Sequence, residues 1–244
     1  MLLLSTQATV LDTSCYVLAP GPDSACLVVD PGAGAAEAIA PMLEEHGLRP
    51  VAVAATHGHA DHIWDAAAVA DKWDVPFLLA EADQERLEDP ASYLGPAFAA
   101  AFEGMASTPW SRPRAVEPLR EDALHRLGLA VSLVPAPGHT PGSTVLLVRE
   151  SPDTQSIVPR SLGGPLPATD AVALTGDVLF AGSVGRVDLP GGDGPTMKKT
   201  LAHLKEALPP QAWVLSGHGP SSLMQWEQYQ NPYLNARWLA SGAF

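Results

Sequence analysis

One short stretch of the sequence carries most of its potential metal-binding chemistry, because residues 56–62 read Thr-His-Gly-His-Ala-Asp-His. His57, His59, Asp61 and His62 fall within six consecutive positions, although the chain of 244 residues has only eight histidines. Neutral imidazole is the commonest protein ligand for zinc-like ions, and carboxylate oxygen suits harder ions. The stretch therefore predicts a metal site rather than a polar loop that holds three histidines by chance.

The residues on either side predict the elements that position this stretch. Residues 51–55 are a short apolar run with two β-branched members, which is typical of a buried parallel strand. After it, apolar residues recur at helical spacing and predict a helix over about 61–72. Residues two apart point the same way where a strand ends, so His57 and His59 can bind one ion.

Asp61 and His62 would leave in another direction at the start of that helix, where they can reach a second ion. A carboxylate at a helix start can also act as a simple cap. Capping alone does not explain the neighbouring histidines, so we favour the metal interpretation.

Three later loops repeat one pattern, in which an apolar run leads to a small residue, a potential ligand and a turn. The runs at 129–134, 171–174 and 213–215 lead to Gly-His-Thr-Pro-Gly-Ser at 138–143, Thr-Gly-Asp at 175–177 and Gly-His-Gly at 217–219. Glycine beside a ligand lets the backbone approach closely. A single loop histidine beside glycine is usually a surface residue, but four such strand ends in one chain indicate one shared site.

In this order, the four stretches resemble the metallo-β-lactamase-fold hydrolases. Residues 179–193, together with Gly-His-Gly-Pro at 217–220 and Asn-Pro-Tyr-Leu at 231–234, resemble more narrowly the short bacterial glyoxalase II-like (hydroxyacylglutathione hydrolase-like) group. The resemblance begins at Asp30-Pro31-Gly32 and implies an αββα sandwich, an α/β fold with two mixed sheets face to face and helices on the outer faces. We expect one such domain over residues 1–244.

The resemblance also implies a ligand set for two divalent metal ions. The first ion would be bound by His57, His59 and His139, the second by Asp61, His62 and His218, and Asp177 would bridge both. Zinc is the expected metal, with iron and manganese as alternatives, because a mixed nitrogen and oxygen ligand set accepts all three.

Two such ions imply hydrolysis at an acyl carbon. Water between them has its pKa lowered from about 15.7 to near 7, so that a metal-bridging hydroxide attacks while a metal polarises the carbonyl. Asp61 and Asp177 are the expected catalytic residues, and Asp61 would orient the hydroxide and carry its proton. A thiolate leaves with little protonation because thiols have a pKa of about 8.5. The expected substrate is a small-molecule thioester.

The thiol carrier stays open between S-lactoylglutathione, another low-molecular-weight thiol ester and coenzyme A. Longer glyoxalase II enzymes recognise glutathione with basic and tyrosine residues, many of them in a C-terminal extension. In this chain Arg237 is the sole basic residue after His218.

Three alternative functions stay open at this stage. A persulfide dioxygenase would use one iron held by His57, His139 and Asp177. Hydrolysis of a lactone or a phosphodiester at the same centre is the second alternative, and a metal-stabilised binding protein without turnover is the third. The complete set of ligands favours the two-metal hydrolase.

Composition argues against other classes of partner. The net charge is −13, with 14 basic against 27 acidic residues, so a phosphate-binding surface for nucleic acid is not expected. No apolar run approaches the roughly 20 residues of a membrane span, and the N-terminus lacks the basic region of a signal peptide. We expect a cytoplasmic protein in which Cys15 and Cys26 are buried thiols rather than a disulfide.

Two further segments lie outside the ligand loops. Residues 89–120 include Phe98, Phe102, Met105 and Trp110, which form either an apolar lid over the metals or ordinary core. Residues 150–170 are rich in proline, glycine and polar residues and predict a loop inserted between two strands.

Local pairing is the prediction for Arg186. It either reaches a substrate carboxylate or pairs with Asp188 or Asp193, and we favour the pairing. The remaining histidines, His46, His125 and His203, are expected on the surface. Helices are also predicted over 81–88 and over about 196–208, the latter ended by Pro209-Pro210.

Overall fold

The strands form two mixed sheets in the computed structural model of the chain, which describes residues 1–159, 161 and 165–241. The first sheet has six strands, each beside the next in chain order. They are β1 (Leu2–Gln7), β2 (Ser14–Ala19), β3 (Ala25–Val29), β4 (Arg49–Ala54), β5 (Phe77–Leu79) and β6 (Val116–Pro118). β1 to β3 pair antiparallel, whereas β3 to β6 pair parallel.

The second sheet has five strands, in the spatial order β13-β12-β9-β8-β7. These are β7 (Val131–Pro135), β8 (Thr144–Val148), β9 (Val172–Gly176), β12 (Trp213–Ser216) and β13 (Ser222–Leu223). β10 (Leu179–Phe180) and β11 (Ser183–Val184) form a separate short hairpin. In this sheet β9 and β12 pair parallel, whereas the other neighbouring strands pair antiparallel.

Helices connect and cover the strands. The α-helices are α1 (Ala35–Glu45), α2 (Ala60–Ile63), α3 (Ala66–Trp73), α4 (Pro96–Met105), α5 (Gly194–Ala207), α6 (Met224–Gln230) and α7 (Ala236–Leu239). Short 3₁₀ helices span Glu81–Glu88, Pro90–Leu94, Glu121–Leu127 and Pro232–Leu234.

The buried side chains divide into layers, which confirms the αββα sandwich. Alternate residues of a strand point to opposite faces, so Leu3 packs between the two sheets while Leu2 and Leu4 pack beneath the helices. The inner layer joins residues of both sheets, such as Leu27 and Leu174. One outer layer packs α1 and α3 on the first sheet, and the other packs α5 and α6 on the second sheet.

The predicted continuous helix over 61–72 is interrupted, because α2 and α3 are separated by Trp64 and Asp65. The backbone N–H of Asp65 donates to the carbonyl of Pro31 at 2.9 Å, instead of to the carbonyl one turn earlier. Its carboxylate accepts from the backbone N–H groups of Gly34 and Ala36 at 2.9 and 3.0 Å. Helical periodicity does not reveal these bonds, since their partners lie far away in the sequence.

Other predicted elements are confirmed with shifted bounds. The strand at 51–55 is β4, the helix over 81–88 is a 3₁₀ helix, and the helix over about 196–208 is α5. In the predicted loop at 150–170, the β pairing of the described residues is limited to an isolated bridge from Ser161 to Ser221. Residues 160 and 162–164 of that loop lie outside the described residues.

The four apolar side chains of the 89–120 segment differ in burial. Phe102 is fully buried, and its ring centroid lies 4.9 Å from that of Trp64. Trp110 is partly buried in the same cluster. Phe98 and Met105 are 53% and 54% exposed. Phe102 and Trp110 are therefore core, whereas Phe98 and Met105 face solvent.

Both cysteines are free and buried, as predicted. Within the described part of the chain, the helices are too short or too polar to cross a membrane.

Candidate metal centre

The four ligand-bearing stretches meet in one cluster, although they are far apart in the sequence. The first stretch joins β4 to α2, and the other three follow β7, β9 and β12. The structure brings all the predicted ligands together in three overlapping groups whose ligand atoms lie within 4.8 Å of one another. The groups are His57, His59 and His139; His57, His62 and Asp177; and Asp61, His62 and His218.

The first set consists of His57, His59 and His139, and all three imidazoles are buried. His57 Nε2 lies 3.1 Å from His59 Nδ1 and 3.2 Å from His139 Nε2. Three ring nitrogens thus converge on one point. This confirms the expectation that alternate residues at the end of β4 point the same way.

The second set consists of Asp61, His62 and His218. Asp61 Oδ2 lies 3.1 Å from His218 Nε2 and 3.6 Å from His62 Nε2. His62 is fully buried, whereas the His218 side chain is 29% exposed. The cluster therefore opens to solvent on the His218 side.

Asp177 lies between the two sets and contacts both. Its Oδ2 is 3.8 Å from His139 Nε2 and 3.4 Å from His218 Nε2, and its Oδ1 is 3.3 Å from His62 Nε2. Gly217 permits this approach, because a Cβ there would lie 2.2 Å from Asp177 Oδ1. A side chain at position 217 would displace the Asp177 carboxylate or the His62 imidazole.

Backbone carbonyls orient two of the imidazoles. His139 Nδ1 donates to the carbonyl of Arg186 at 2.7 Å, and His218 Nδ1 donates to the carbonyl of Leu11 at 3.1 Å. A donating Nδ1 leaves Nε2 of each ring turned toward the cluster, which is how metal-binding histidines are usually held.

A buried chain of side chains orients two others. Asp30 accepts from both the backbone N–H and the hydroxyl of Thr56, at 2.7 and 2.8 Å. Because that hydroxyl proton is used, the Thr56 oxygen accepts from His57 Nδ1 at 3.1 Å. Asp30 Oδ2 also lies 3.0 Å from His62 Nδ1. Both Nε2 atoms consequently face the cluster.

Burial holds the first set neutral. It lowers the pKa of His57 well below its usual value, helped by the neighbouring imidazoles His62, His139 and His59. It also lowers the pKa of His59 to about 3 and lowers that of His139. Their lone pairs are available at neutral pH.

The second set carries charge. Burial disfavours a protonated His62, but Asp177, Asp61 and Asp30 outweigh it and raise its pKa well above the usual value. Burial likewise opposes the charge of His218, yet hydrogen bonds to Asp177 and Asp61 raise its pKa to about 10. Burial would raise the pKa of Asp61, but His62 and His218 lower it to about 2.

These groups fit divalent metal ions. His57 Nε2 and His139 Nε2 lie 3.2 Å apart, and because the Nδ1 of each ring donates elsewhere, their lone pairs face each other and repel unless a cation lies between them. Two nitrogens bound tetrahedrally to zinc at about 2.0–2.1 Å lie roughly 3.3 Å apart. His62 Nε2 and Asp177 Oδ1 are buried and lie 3.3 Å apart, but neither makes a well-directed hydrogen bond. Each is an atom that a metal would satisfy.

Sequence reasoning did not assign roles to three buried groups around the ligands. Thr13 donates its hydroxyl to Asp61 Oδ2 at 3.1 Å, and Asp30 supports the Thr56 and His62 side chains. Asp83, within the 3₁₀ helix Glu81–Glu88, is completely buried and contacts two ligand loops. In the sequence these three residues are marked only as acidic or hydroxyl residues beside an apolar run.

The predicted pairing of Arg186 is confirmed. Its Nε and Nη2 donate to the two carboxylate oxygens of Asp188 at 2.7 and 2.8 Å. Asp193 instead accepts from the backbone N–H of Thr196 and caps α5. The histidines expected outside the site lie on the surface: His46 is half-buried, and His125 and His203 are exposed.

Comparison with known proteins places this chain in a family. A sequence model of the metallo-beta-lactamase superfamily matches residues 8–152. The probable metallo-hydrolase YqgX of Bacillus subtilis is 33% identical over 214 residues, which cover 87% of this chain and 89% of that protein. The hydroxyacylglutathione hydrolase GloC of Haemophilus influenzae is 29% identical over 214 residues, which cover 86% and 87%.

Solved structures share the fold. The BLEG-1 B3 metallo-beta-lactamase superposes with a TM-score of 0.73 at 28% identity, covering 96% of this chain and all of that one. TTHA1623, described in a di-iron-bound form, superposes with a TM-score of 0.70 at 28% identity, covering 95% of this chain and all of that one. Two mixed sheets with outer helices are common to this fold.

Proposed function

Because the chain belongs to the metallo-beta-lactamase superfamily, we propose that it is a hydrolase that binds two divalent ions and cleaves a small-molecule thioester. The observation that carries this proposal is the Asp177 carboxylate, whose Oδ2 lies 3.8 Å from His139 Nε2 of the first set and 3.4 Å from His218 Nε2 of the second set. A carboxylate in that position suits a bridge between two ions. A single ion would leave one of the sets without a function.

Each set would hold one ion. His57, His59 and His139 would bind the first, Asp61, His62 and His218 the second, and Asp177 both. Bound there, the ions would polarise an acyl carbonyl and lower the pKa of water from about 15.7 to near 7. Zinc is our proposal, and the di-iron form of TTHA1623 makes iron the first alternative.

The protein's own groups would orient the reactants. The Asp61 carboxylate is held by the Thr13 hydroxyl at 3.1 Å, so one oxygen has a fixed direction from which to accept a proton from the attacking water. The side chains of His218 and Asp177 are 29% and 12% exposed, whereas that of Asp61 is 7% exposed. Substrate would therefore approach from the His218 side, and Asp61 would act in a site largely closed to bulk water.

A thioester is the substrate class we favour, because GloC, which is similar over most of its length, is a hydroxyacylglutathione hydrolase. A thiolate leaves with little protonation, since thiols have a pKa of about 8.5. The chemistry thus requires no general acid beyond the groups already described.

The direct test is a substrate panel with zinc-loaded protein. We expect S-lactoylglutathione, or an acyl ester of another low-molecular-weight thiol, to give the highest kcat/KM in the panel. Thioester cleavage no faster than in buffer would contradict the proposal.

A β-lactam is the second candidate substrate, because the BLEG-1 structure is described as a B3 metallo-beta-lactamase at 28% identity. A chromogenic cephalosporin belongs in the same panel. A kcat/KM for it above that of every thioester would replace our proposal. One iron per chain with oxygen uptake on a persulfide would instead favour the dioxygenase alternative.

A further inference from the structure

We propose that Asp83 is a positioning residue that clamps the two loops of the first set together. The inference rests on the proposed metal-binding function, but not on the identity of the substrate. It concerns the loop between His57 and His59 and the loop that follows His139.

The Asp83 carboxylate accepts hydrogen bonds from both loops. Its Oδ2 accepts from the backbone N–H of Gly58 at 2.8 Å and from the hydroxyl of Thr140 at 2.7 Å. Its Oδ1 accepts from the backbone N–H of Gly142 at 2.8 Å. One buried side chain thus links residues on either side of the three imidazoles.

Two glycines allow the carboxylate to sit this close to the loops. A Cβ at Gly58 would lie 2.8 Å from Arg86 Cδ and 3.1 Å from Asp83 Cβ, and a Cβ at Gly142 would lie 2.6 Å from Asp83 Cγ. The glycine of His-Gly-His and the second glycine of the 138–143 loop therefore both pack on Asp83. Glycine is needed at these two positions because of the close contact with neighbouring side chains, not because of the metal.

Only a carboxylate satisfies all of these donors. Arg86 adds an ion pair rather than a hydrogen bond, with Nε 3.4 Å from Asp83 Oδ1, and its guanidinium is buried against the ring of Tyr93. Arg86 Nη2 in turn donates to the carbonyl of Pro190 at 2.8 Å. An amide at position 83 would turn an NH₂ group toward backbone N–H groups and leave the arginine charge unpaired.

The clamp acts on the first set alone. Gly58 lies between two first-set ligands, and Thr140 and Gly142 follow the third. The second set is supported elsewhere, because Thr13 holds Asp61, Asp30 faces His62, and the Leu11 carbonyl accepts from His218. Loss of the clamp should consequently weaken the binding of the first ion and leave the binding of the second ion unchanged.

The test measures zinc affinity in two backgrounds that separate the sets. His218→Ala leaves the first set complete, and His139→Ala leaves the second set complete. In the His218→Ala background, we expect Asp83→Asn and Thr140→Val each to weaken zinc binding by about 10- to 100-fold, the usual effect of losing an outer support. Thr140→Ser keeps the hydroxyl and should restore the affinity. In the His139→Ala background all of these changes should alter it by less than about twofold.

Affinity is read by competition with a chromophoric chelator, so the result does not depend on activity. Thr140→Val and Thr140→Ser keep the inference testable if Asp83→Asn fails to fold. Glu227→Gln is the matched control for loss of a buried carboxylate, because Glu227 accepts from the Gly182 N–H at 2.8 Å, outside both ligand loops. It should lower stability without weakening zinc binding in the His218→Ala background.

Three outcomes would overturn the inference, and they are distinguishable. First-set affinity that is unchanged in Asp83→Asn and Thr140→Val, with zinc bound by the wild type, contradicts the clamp alone. Equal weakening in both backgrounds means that Asp83 supports the fold in general. Wild-type protein that binds no zinc or iron would contradict the proposed function as well.

Discussion

His59 and His218 belong to the same cluster, yet their pKa values are shifted in opposite directions. Burial lowers the pKa of His59 to about 3, whereas the carboxylates of Asp177 and Asp61 overcome burial and raise that of His218 to about 10. The first set is therefore ready to bind a cation at neutral pH. The second set must first lose the protons on His62 and His218, which its carboxylates stabilise.

This difference predicts how metal binding depends on pH. A metal binds only the neutral imidazole, so its binding displaces any proton held there. The pKa values of His62 and His218 are raised in the metal-free protein, so we expect proton release at pH 7 and an affinity that strengthens as pH rises toward 10. For the first set, whose pKa values are lowered, the affinity should change little between pH 6 and 8.

Calorimetry in two buffers of different ionisation enthalpy counts these protons. It is best done in the His139→Ala and His218→Ala backgrounds, which separate the sets. If the two sets release equal numbers of protons on binding metal, then the protons are not concentrated on the second set, and the prediction is wrong.

A second prediction at this scale concerns Asp61. Asp61→Asn keeps the size of the side chain but removes the base, so we expect kcat to fall by about 10²- to 10⁴-fold. The Thr13 hydroxyl can still donate to the amide oxygen, and the variant should remain folded by circular dichroism. Hydrolysis at the wild-type rate by a folded, metal-loaded Asp61→Asn protein would refute the role assigned to this carboxylate.

At the scale of elements, α4 shows one buried and one exposed aromatic residue four positions apart. Phe102 is fully buried against Trp64, whereas Phe98 is 53% exposed. We expect Phe102→Ala to lower the free energy of unfolding by about 3–5 kcal/mol. Phe98→Ala is the matched control and should change it by less than about 0.5 kcal/mol.

Chemical denaturation measures both variants. If Phe98→Ala destabilises the protein as much as Phe102→Ala, then the Phe98 side chain is covered by some other part of the molecule. If kcat/KM for the thioester falls in Phe98→Ala and not in Phe102→Ala, the result would support the alternative in which Phe98 belongs to an apolar lid over the metals.

Sequence periodicity predicted elements well where their residues are buried by neighbouring strands and helices. The apolar run at 51–55 and the proline pair after α5 are local signals, and β4 and α5 follow from them. The break between α2 and α3 was not predictable, because Asp65 bonds to Pro31, Gly34 and Ala36 instead of to its own helix.

The same distinction applies to the centre. The ligands could be predicted because imidazole and carboxylate have a recognisable chemistry wherever they occur. Asp30 and Asp83 could not, because an acidic residue reveals its role only through partners more than 20 positions away. Supports of this kind become visible only in the folded chain.

At the scale of the whole molecule, the layered core protects both thiols. Cys15 and Cys26 lie in β2 and β3 and are fully buried. Burial raises the pKa of Cys26 to about 12 and raises that of Cys15 well above its usual value. Because the thiolate is the reactive form, we expect no reaction with an aromatic disulfide reagent at pH 8 in the native protein.

Absorbance of the released thiol measures this, and two thiols per chain should react once the protein is denatured. Rapid modification of the native protein would mean that the sheets open readily. Such opening would also expose the residues that support the ligands.

The central claim is that both sets of ligands act together on a thioester, and metal reconstitution tests it most directly. Metal-free protein would be titrated with zinc, and hydrolysis of S-lactoylglutathione, or of the best thioester in the panel, would be followed at each addition. The account predicts little activity at the first equivalent and a rise to the maximum at the second. Full activity with one ion per chain, or no thioester cleavage with two, would contradict it.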